Sequence, residues 1–136
     1  MRDAFLAAQD VPGVDTDDVA AVAEASTAAF IAAYARHLPL LVLLEQQARA
    51  DAEVRALWDE IRERPVRRAA RYVRRVAGQG RARPVVDPLT LSRAVGGMSV
   101  EFARLVAERP AAYDAAVRDV TAMYLHLLGI GAPPQQ

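Results

Sequence analysis

Apolar residues recur every three or four positions along this chain and do not alternate at a spacing of two. Proline and glycine interrupt the pattern at a few places, which are 12–13, 39, 65, 78–84, 88, 96–97, 110 and 129–134. A spacing of three to four gives an α-helix one apolar face, whereas a strand needs a spacing of two. The pattern therefore predicts an all-α fold, a bundle of about six to seven helices.

The interruptions set the expected helix boundaries. A short helix is predicted over 2–9, and Asp15 or Thr16 is expected to cap a second that runs to about 37. A third helix is predicted over 39–49, and the next starts after a cap at Asp51. Two more are predicted, one from a cap at Asp87 to about 108 and one over 110–128. Pro65 is expected to break or kink the helix that starts after Asp51, with the apolar pattern resuming up to residue 78.

Composition restricts the class of protein. The chain has 136 residues, is 53% hydrophobic, and has a formal net charge of +0, which argues against bulk attraction to nucleic acid or anionic lipid. It has no cysteine, no run of 18 apolar residues and no long apolar leader, so a cytoplasmic location is expected. We expect one domain over 15–129, preceded by a short helix and linker over 1–14 and followed by a disordered tail over 130–136.

Catalytic patterns are weak. The two histidines, His37 and His126, lie far apart, and no carboxylate pair stands at helical spacing with a histidine. No glycine-rich phosphate loop follows a strand, since no strand is predicted. The sequence therefore predicts a protein that is not an enzyme, with no cofactor and no metal site, and an all-α enzyme remains a minor alternative.

Seven arginines fall between residues 62 and 75, six of them roughly on one face of the predicted helix. They could form a phosphate or anion site. They could equally form a solvated face, partly compensated by Glu60 and Glu63, and the zero net charge favours this interpretation. One or two of the arginines could still reach the anionic group of a bound ligand.

Aromatic residues lie on four of the predicted helices, each on the apolar side. A plain hydrophobic core is the commoner explanation, but the polar tips of Tyr34, Trp58 and Tyr72 need partners when buried. Glu45 also ends the most apolar run, and polar groups converging on an apolar interior are typical of a small-molecule pocket. The predicted pocket residues are Phe30, Tyr34, Leu41, Leu44, Glu45, Trp58, Ile61, Tyr72, Met98 and Phe102.

Small residues form a stripe on the helix that starts at Asp87, about 110° away from its core face. Such a stripe allows another helix to approach closely, and Gly96 brings the backbones nearest. The last helix also has an apolar face beyond its core face, and we interpret the two surfaces together as a homodimer interface. The alternative is that these two surfaces contact each other within one chain. The predicted interface residues are Leu89, Ser92, Gly96, Ser99, Val100, Ala103, Ala115, Ala122 and Leu125. Gly97 points elsewhere, and the pattern gives no packing reason for it.

The order of these features resembles the C-terminal regulatory region of TetR-family transcriptional regulators. A helix that ends in an aromatic residue, histidine and leucine is followed by an apolar helix with a glutamate and then by a long helix capped by aspartate. A glycine-containing loop leads to a further helix, which starts with Asp-Pro and carries Gly-Met near its middle. The matching residues are Tyr34, His37, Leu38, Glu45, Asp51, Gly80, Asp87, Pro88, Gly97 and Met98. The resemblance covers about 15–128, and no single motif in it is very specific.

This resemblance implies an effector-binding and dimerisation domain of a transcriptional repressor, which senses a largely apolar small molecule and dimerises through its last two helices. It implies DNA binding only through an N-terminal helix-turn-helix head that is absent from this chain, with 1–14 resembling the helix that follows such a head. No membrane partner is expected. The alternative function is a helical protein–protein interaction module without a ligand.

Overall fold

The computed structural model describes residues 18–130, and this part of the chain contains helices but no strand. It has five α-helices and one 3₁₀ turn, in the order α1 Val19–Arg36, α2 Leu38–Gln47, α3 Ala52–Gly78, α4 Pro88–Glu108, the 3₁₀ turn Pro110–Ala112 and α5 Tyr113–Leu127. The all-α prediction is confirmed, whereas the count of six to seven helices is not. The helix predicted over 2–9, its linker and the tail over 131–136 lie outside the described residues.

Of the break or kink predicted at Pro65, the break is wrong, because α3 continues through this residue as one helix of 27 residues. Proline removes one backbone hydrogen bond and crowds the preceding turn. In α3 that cost is offset by packing on both sides of Pro65, where Ile61 and Val66 are buried. Tertiary packing therefore keeps together two segments that local chemistry alone would separate.

Aspartates cap three of the helices. The side chains of Asp51 and Asp87 accept hydrogen bonds from the first turns of α3 and α4, as predicted. Asp18 caps α1, where its carboxylate accepts a bond of 3.0 Å from the amide of Ala21. The sequence-based candidates for that cap, Asp15 and Thr16, lie outside the described residues. Capping depends on a few adjacent residues, which is why two of these helix starts could be predicted.

The interior contains two apolar clusters along the length of the bundle. The first cluster includes Ile31, Leu41, Trp58, Ile61, Ala103 and Val120. The second cluster includes Ala23, Val73, Val76, Leu91, Tyr124 and Leu128. Helices α1 and α3 each pack along α4, but they do not pack closely on one another. That arrangement leaves a groove between α1 and α3 with α4 as its floor.

A loop closes the second cluster at one end of the bundle. The amides of Arg83 and Val85 donate hydrogen bonds of 2.7 and 2.9 Å to the carbonyls of Leu128 and Leu127. Gly129, just after α5, has a φ of +74°, and a Cβ there would lie 2.5 Å from the Arg83 carbonyl oxygen. Only glycine fits this close approach, so Gly129 allows the loop to lie against the end of α5.

Within residues 18–130, no single helix has the length and hydropathy needed to cross a membrane. Helices α1 and α2 reach that threshold only when they are taken together, as a pair bent by 71°.

Candidate functional site

The groove between α1 and α3 is a cleft of about 760 Å³. Its walls are mainly apolar, with Phe30 from α1, Trp58, Ile61 and Val66 from α3, and Val95 from the α4 floor. Its mouth reaches the surface, where several arginine side chains are exposed. The volume falls within the range of about 300–1,000 Å³ that is usual for small-molecule sites.

Six of the ten predicted pocket residues line this cleft, namely Phe30, Tyr34, Glu45, Trp58, Ile61 and Tyr72. The other four, Leu41, Leu44, Met98 and Phe102, do not. Leu41 is fully buried within the first cluster, and the remaining three pack against it. The structure therefore places these four in the core and not on the cleft, because they lie on α2 and on the core face of α4.

In the structure, the stripe of small residues predicted to form a dimer interface faces the interior of this chain. Ser92, Gly96, Ser99 and Val100 line the cleft, and Ala103 is fully buried in the first cluster. A Cβ on Gly96 would lie 3.5 Å from Cγ2 of Val66, so the close neighbour of the stripe is α3. The small residues therefore do permit a close approach, but by a helix of the same chain.

The other residues predicted to form the interface lie elsewhere on the bundle. Leu89, Ala115 and Leu125 are half-buried, and Leu125 packs against the second cluster. Ala122 on α5 is the one exposed member of the predicted set of nine.

One end of the cleft carries charged groups, and we call it the ionic end; it comprises Tyr34, Glu45, Arg62 and Arg104. Nη2 of Arg104 lies 3.9 Å from Oε2 of Glu45, and the ring of Tyr34 stacks on Phe30 with centroids 5.7 Å apart. Burial raises the pKa of Tyr34, and the guanidinium of Arg104 opposes that rise. Charge at this end therefore acts directly on a buried phenol.

The other end carries neutral hydroxyl groups, and we call it the hydroxyl end; it comprises Tyr72, Ser92 and Tyr124. Burial, followed by the effect of Tyr72, raises the pKa of Tyr124 to about 12. Ser92 is only 3% exposed, and its Oγ has no hydrogen-bond partner among the described residues. Ser99, which is equally buried, differs because its hydroxyl donates to the Val95 carbonyl at 2.8 Å.

An ion pair beside the mouth of the cleft joins the α3 wall to the α4 floor. Nη1 and Nη2 of Arg93 donate to Oε1 and Oε2 of Glu63 at 2.6 and 3.1 Å. The bond from Arg93 is the main reason that the pKa of Glu63 is lowered. Both side chains remain partly exposed, at 52% and 32%, so the pair contributes to the shape of the mouth more than to stability.

The seven arginines of α3 divide between the two interpretations. Arg62 and Arg68 line the cleft. The other five do not line it and are exposed, as expected of a solvated face. One of these, Arg75, lies over the ring of Tyr72 at 5.3 Å from its centroid.

Sequence reasoning missed three groups in this site. Arg104 had a weak signal, because it follows Val100 by four residues and so lies on the same side of α4 as the small stripe. Tyr124 was not among the predicted pocket residues, and Ser92 was placed in a dimer contact. Neither had a signal in the pattern, because their neighbours come from helices distant in the chain.

Among residues 18–130, no group of three or more His, Cys, Asp or Glu side chains is arranged to hold a metal ion. The comparisons with known proteins add no relative: no family model, curated protein or solved structure gives a significant match to this chain. The cleft is therefore the feature from which a function can be inferred.

Proposed function

We propose that this chain is the effector-binding and dimerisation domain of a TetR-like transcriptional repressor, and that its cleft binds a largely apolar small molecule. The observation that carries the proposal is the cleft of about 760 Å³ between α1 and α3. Apolar walls with a few polar groups at defined places are typical of a ligand site. The order of caps and junctions that resembles this family supports the regulatory part of the proposal.

A ligand in this cleft would separate α1 from α3, because those helices form its two walls. Both rest on α4, so a ligand that favours a wider spacing would change how α1 lies on the bundle. In regulators of this kind the DNA-binding head precedes the regulatory domain, and α1 is the first helix of the described part. Control of DNA binding requires that the ligand bind two such arrangements with different affinities.

The dimerisation part of the proposal depends on α5 and not on the small stripe of α4. Ala122 and Met123 are exposed on α5, and Leu125 beside them is half-buried. We expect a dimer by light scattering at micromolar concentration. A monomer at high micromolar concentration would contradict this part and leave the ligand-binding part to be judged separately.

The ligand-binding part is tested with 8-anilinonaphthalene-1-sulfonate, an apolar dye with an anionic group. We expect saturable binding with enhanced fluorescence in the wild type. Gly96→Leu places a side chain into the cleft beside Val66, and Ala69→Leu fills it from α3, so both should abolish dye binding. Ala94→Leu is the matched control on α4, because Ala94 is exposed and does not line the cleft.

Circular dichroism of each variant shows whether it is folded. Wild-type protein that binds no dye, or folded filling variants that bind it unchanged, would contradict a ligand site in this cleft.

The alternative is a helical protein–protein interaction module without a ligand. The observation in its favour is on α2, where Leu40 and Leu43 are 46% and 47% exposed. Exposed leucines of this kind are found at interaction surfaces. This function predicts no dye binding in the cleft, together with loss of partner binding in Leu40→Ser and Leu43→Ser.

A further inference from the structure

We propose that the cleft selects an elongated amphiphile, with an anionic group at the ionic end and a hydroxyl group at the hydroxyl end. This inference rests on the proposed function of the cleft as a ligand site and adds the chemical class of the ligand. It requires that the distance between the two ends match the length of an extended ligand molecule. It also requires that the two ends prefer different chemical groups of the ligand.

The distance between the ends follows from the helices that carry them. Arg62 and Tyr72 lie ten residues apart on α3, which corresponds to about 15 Å at the rise of an α-helix. Ser92 and Arg104 lie twelve residues apart on α4, or about 18 Å. An extended chain of about a dozen carbons spans this separation, whereas a compact ring system would reach one end only.

The ionic end favours an anion because the cationic groups are in excess there. At this end the charged side chains are Arg62, Arg104 and Glu45, two cations against one anion. Glu45 lies 3.9 Å from Arg104, which is too long for a direct hydrogen bond, and Arg104 is 42% exposed. A carboxylate can therefore reach Arg104 on the α4 floor, with Arg62 on the α3 wall that also lines the cleft.

The hydroxyl end favours a neutral hydrogen-bonding group. The buried Oγ of Ser92 has no partner among the described residues, and an unsatisfied buried hydroxyl is costly. A ligand hydroxyl can both donate to it and accept from it. Burial, followed by the effect of Tyr72, disfavours a charge on Tyr124 at this end.

The two preferences fix the direction of the ligand, with its acid toward Arg104 and its hydroxyl toward Ser92. The apolar walls between the ends, which include Phe30, Val66 and Val95, would cover the carbon chain. Each end is made by side chains that can be changed singly. Ser92→Ala removes the hydroxyl, and Arg104→Gln removes the charge together with the guanidinium that also hydrogen-bonds Tyr34.

Isothermal titration calorimetry with dodecanoate and ω-hydroxydodecanoate tests the inference. In the wild type we expect the hydroxy acid to bind about five- to tenfold more tightly, the effect of one additional neutral hydrogen bond. Ser92→Ala should remove that difference and leave dodecanoate binding unchanged. Ser99→Ala is the control, because Ser99 also lines the cleft but its hydroxyl is already bonded to Val95, so the difference should remain.

Arg104→Gln should weaken both acids about tenfold and leave their ratio unchanged, because it removes a charge-assisted contact at the other end. Equal affinities of the two acids in the wild type would overturn the inference while the cleft remains a ligand site. Loss of the difference in Ser99→Ala as well, or unchanged acid binding in Arg104→Gln, would overturn the assigned ends. If neither acid nor the naphthalene dye binds, the proposed function fails together with the inference.

Discussion

Tyr34 and Tyr124 stand at opposite ends of the cleft and are equally shielded, with each side chain 6% exposed. Burial raises the pKa of both phenols, but only Tyr34 has cations among the neighbours that act on it. Arg104 lowers the pKa of Tyr34, Glu45 raises it and Arg62 lowers it, whereas Tyr72 raises that of Tyr124 further. The difference shows that shape alone does not describe the cleft, because its two ends offer a ligand different electrostatic surroundings.

The surroundings differ because the charged side chains of the ionic end are partly exposed, whereas Ser92 and Tyr124 at the hydroxyl end are buried. Glu45 and Arg104 at the ionic end are 44% and 42% exposed, so their charges remain hydrated. At the hydroxyl end, the loop held against α5 covers the second cluster, which contains Ala82 and Leu128. Charged side chains are costly in such a place, and neutral hydroxyl groups are found there instead.

The largest expected effect comes from opening the hydroxyl end. Gly129→Ala combines a positive φ with a Cβ 2.5 Å from the Arg83 carbonyl, so we expect a loss of roughly 3 kcal/mol in the free energy of unfolding. Chemical denaturation followed by circular dichroism measures it. The pKa of Tyr124 should also fall toward its usual range as water enters.

Gly80→Ala is the matched control for that change. Gly80 has almost the same φ, +75°, but nothing lies within 4 Å of a Cβ there. We expect it to cost only about 1–2 kcal/mol, the strain of the backbone conformation alone. Equal losses in the two variants would show that the contact with Arg83 does not hold the loop in place.

A smaller effect is expected from alkaline pH at the hydroxyl end. The pKa of Tyr124 is about 12 in the folded state, whereas the usual pKa of a tyrosine side chain is 10.0. The folded state therefore keeps this proton in a pH range where the unfolded state loses it. The stabilisation is complete below pH 10 and is lost as the pH rises toward 12, by about 2–3 kcal/mol. Denaturation midpoints between pH 9 and about 12 measure the loss.

Tyr124→Phe should remove most of this pH dependence, because phenylalanine carries no proton to lose. Tyr34→Phe should change it less, because Arg104 opposes the rise in the pKa of Tyr34. The contrast between the two ends would be refuted if the two variants altered the alkaline loss equally.

The smallest effect is expected in the middle of the cleft, at the two adjacent glycines of α4. Gly97→Ala should stabilise the protein by about 0.5–1 kcal/mol, because nothing lies within 4 Å of its Cβ and alanine favours the helix. Gly96→Ala should gain a similar amount, since 3.5 Å from Val66 is an ordinary contact. Thermal unfolding measures both. A clear loss in Gly97→Ala would mean that its surface is covered in solution.

Much of the fold could be predicted because it depends on neighbours in sequence. The helical spacing, the caps at Asp51 and Asp87, and the start of α4 at Pro88 are set by a few adjacent residues. Pro65 shows the limit of that reasoning. The sequence pattern predicts a break or kink there, but α3 is continuous and packs on both sides of Pro65.

The site was predicted in part for the same reason. Apolar and aromatic positions such as Trp58 and Tyr72 could be assigned to an inward face, and the structure places both on the cleft. Met98 and Phe102 have the same pattern but fill the core. Helical periodicity gives the direction in which a side chain points, but not whether a neighbour or an empty space lies there.

The sequence by itself determined that the chain is helical, that α3 and α4 start after their aspartate caps, and that the small residues of α4 share one face. These properties follow from local bonding and helical geometry. Only the tertiary structure decided that α3 is the helix facing this stripe, that α1 and α3 leave a cleft above α4, and that Ser92 and Arg104 stand at its opposite ends. These outcomes depend on contacts between residues far apart in the chain. Such contacts are set by how all the helices pack at once, and no local pattern encodes them.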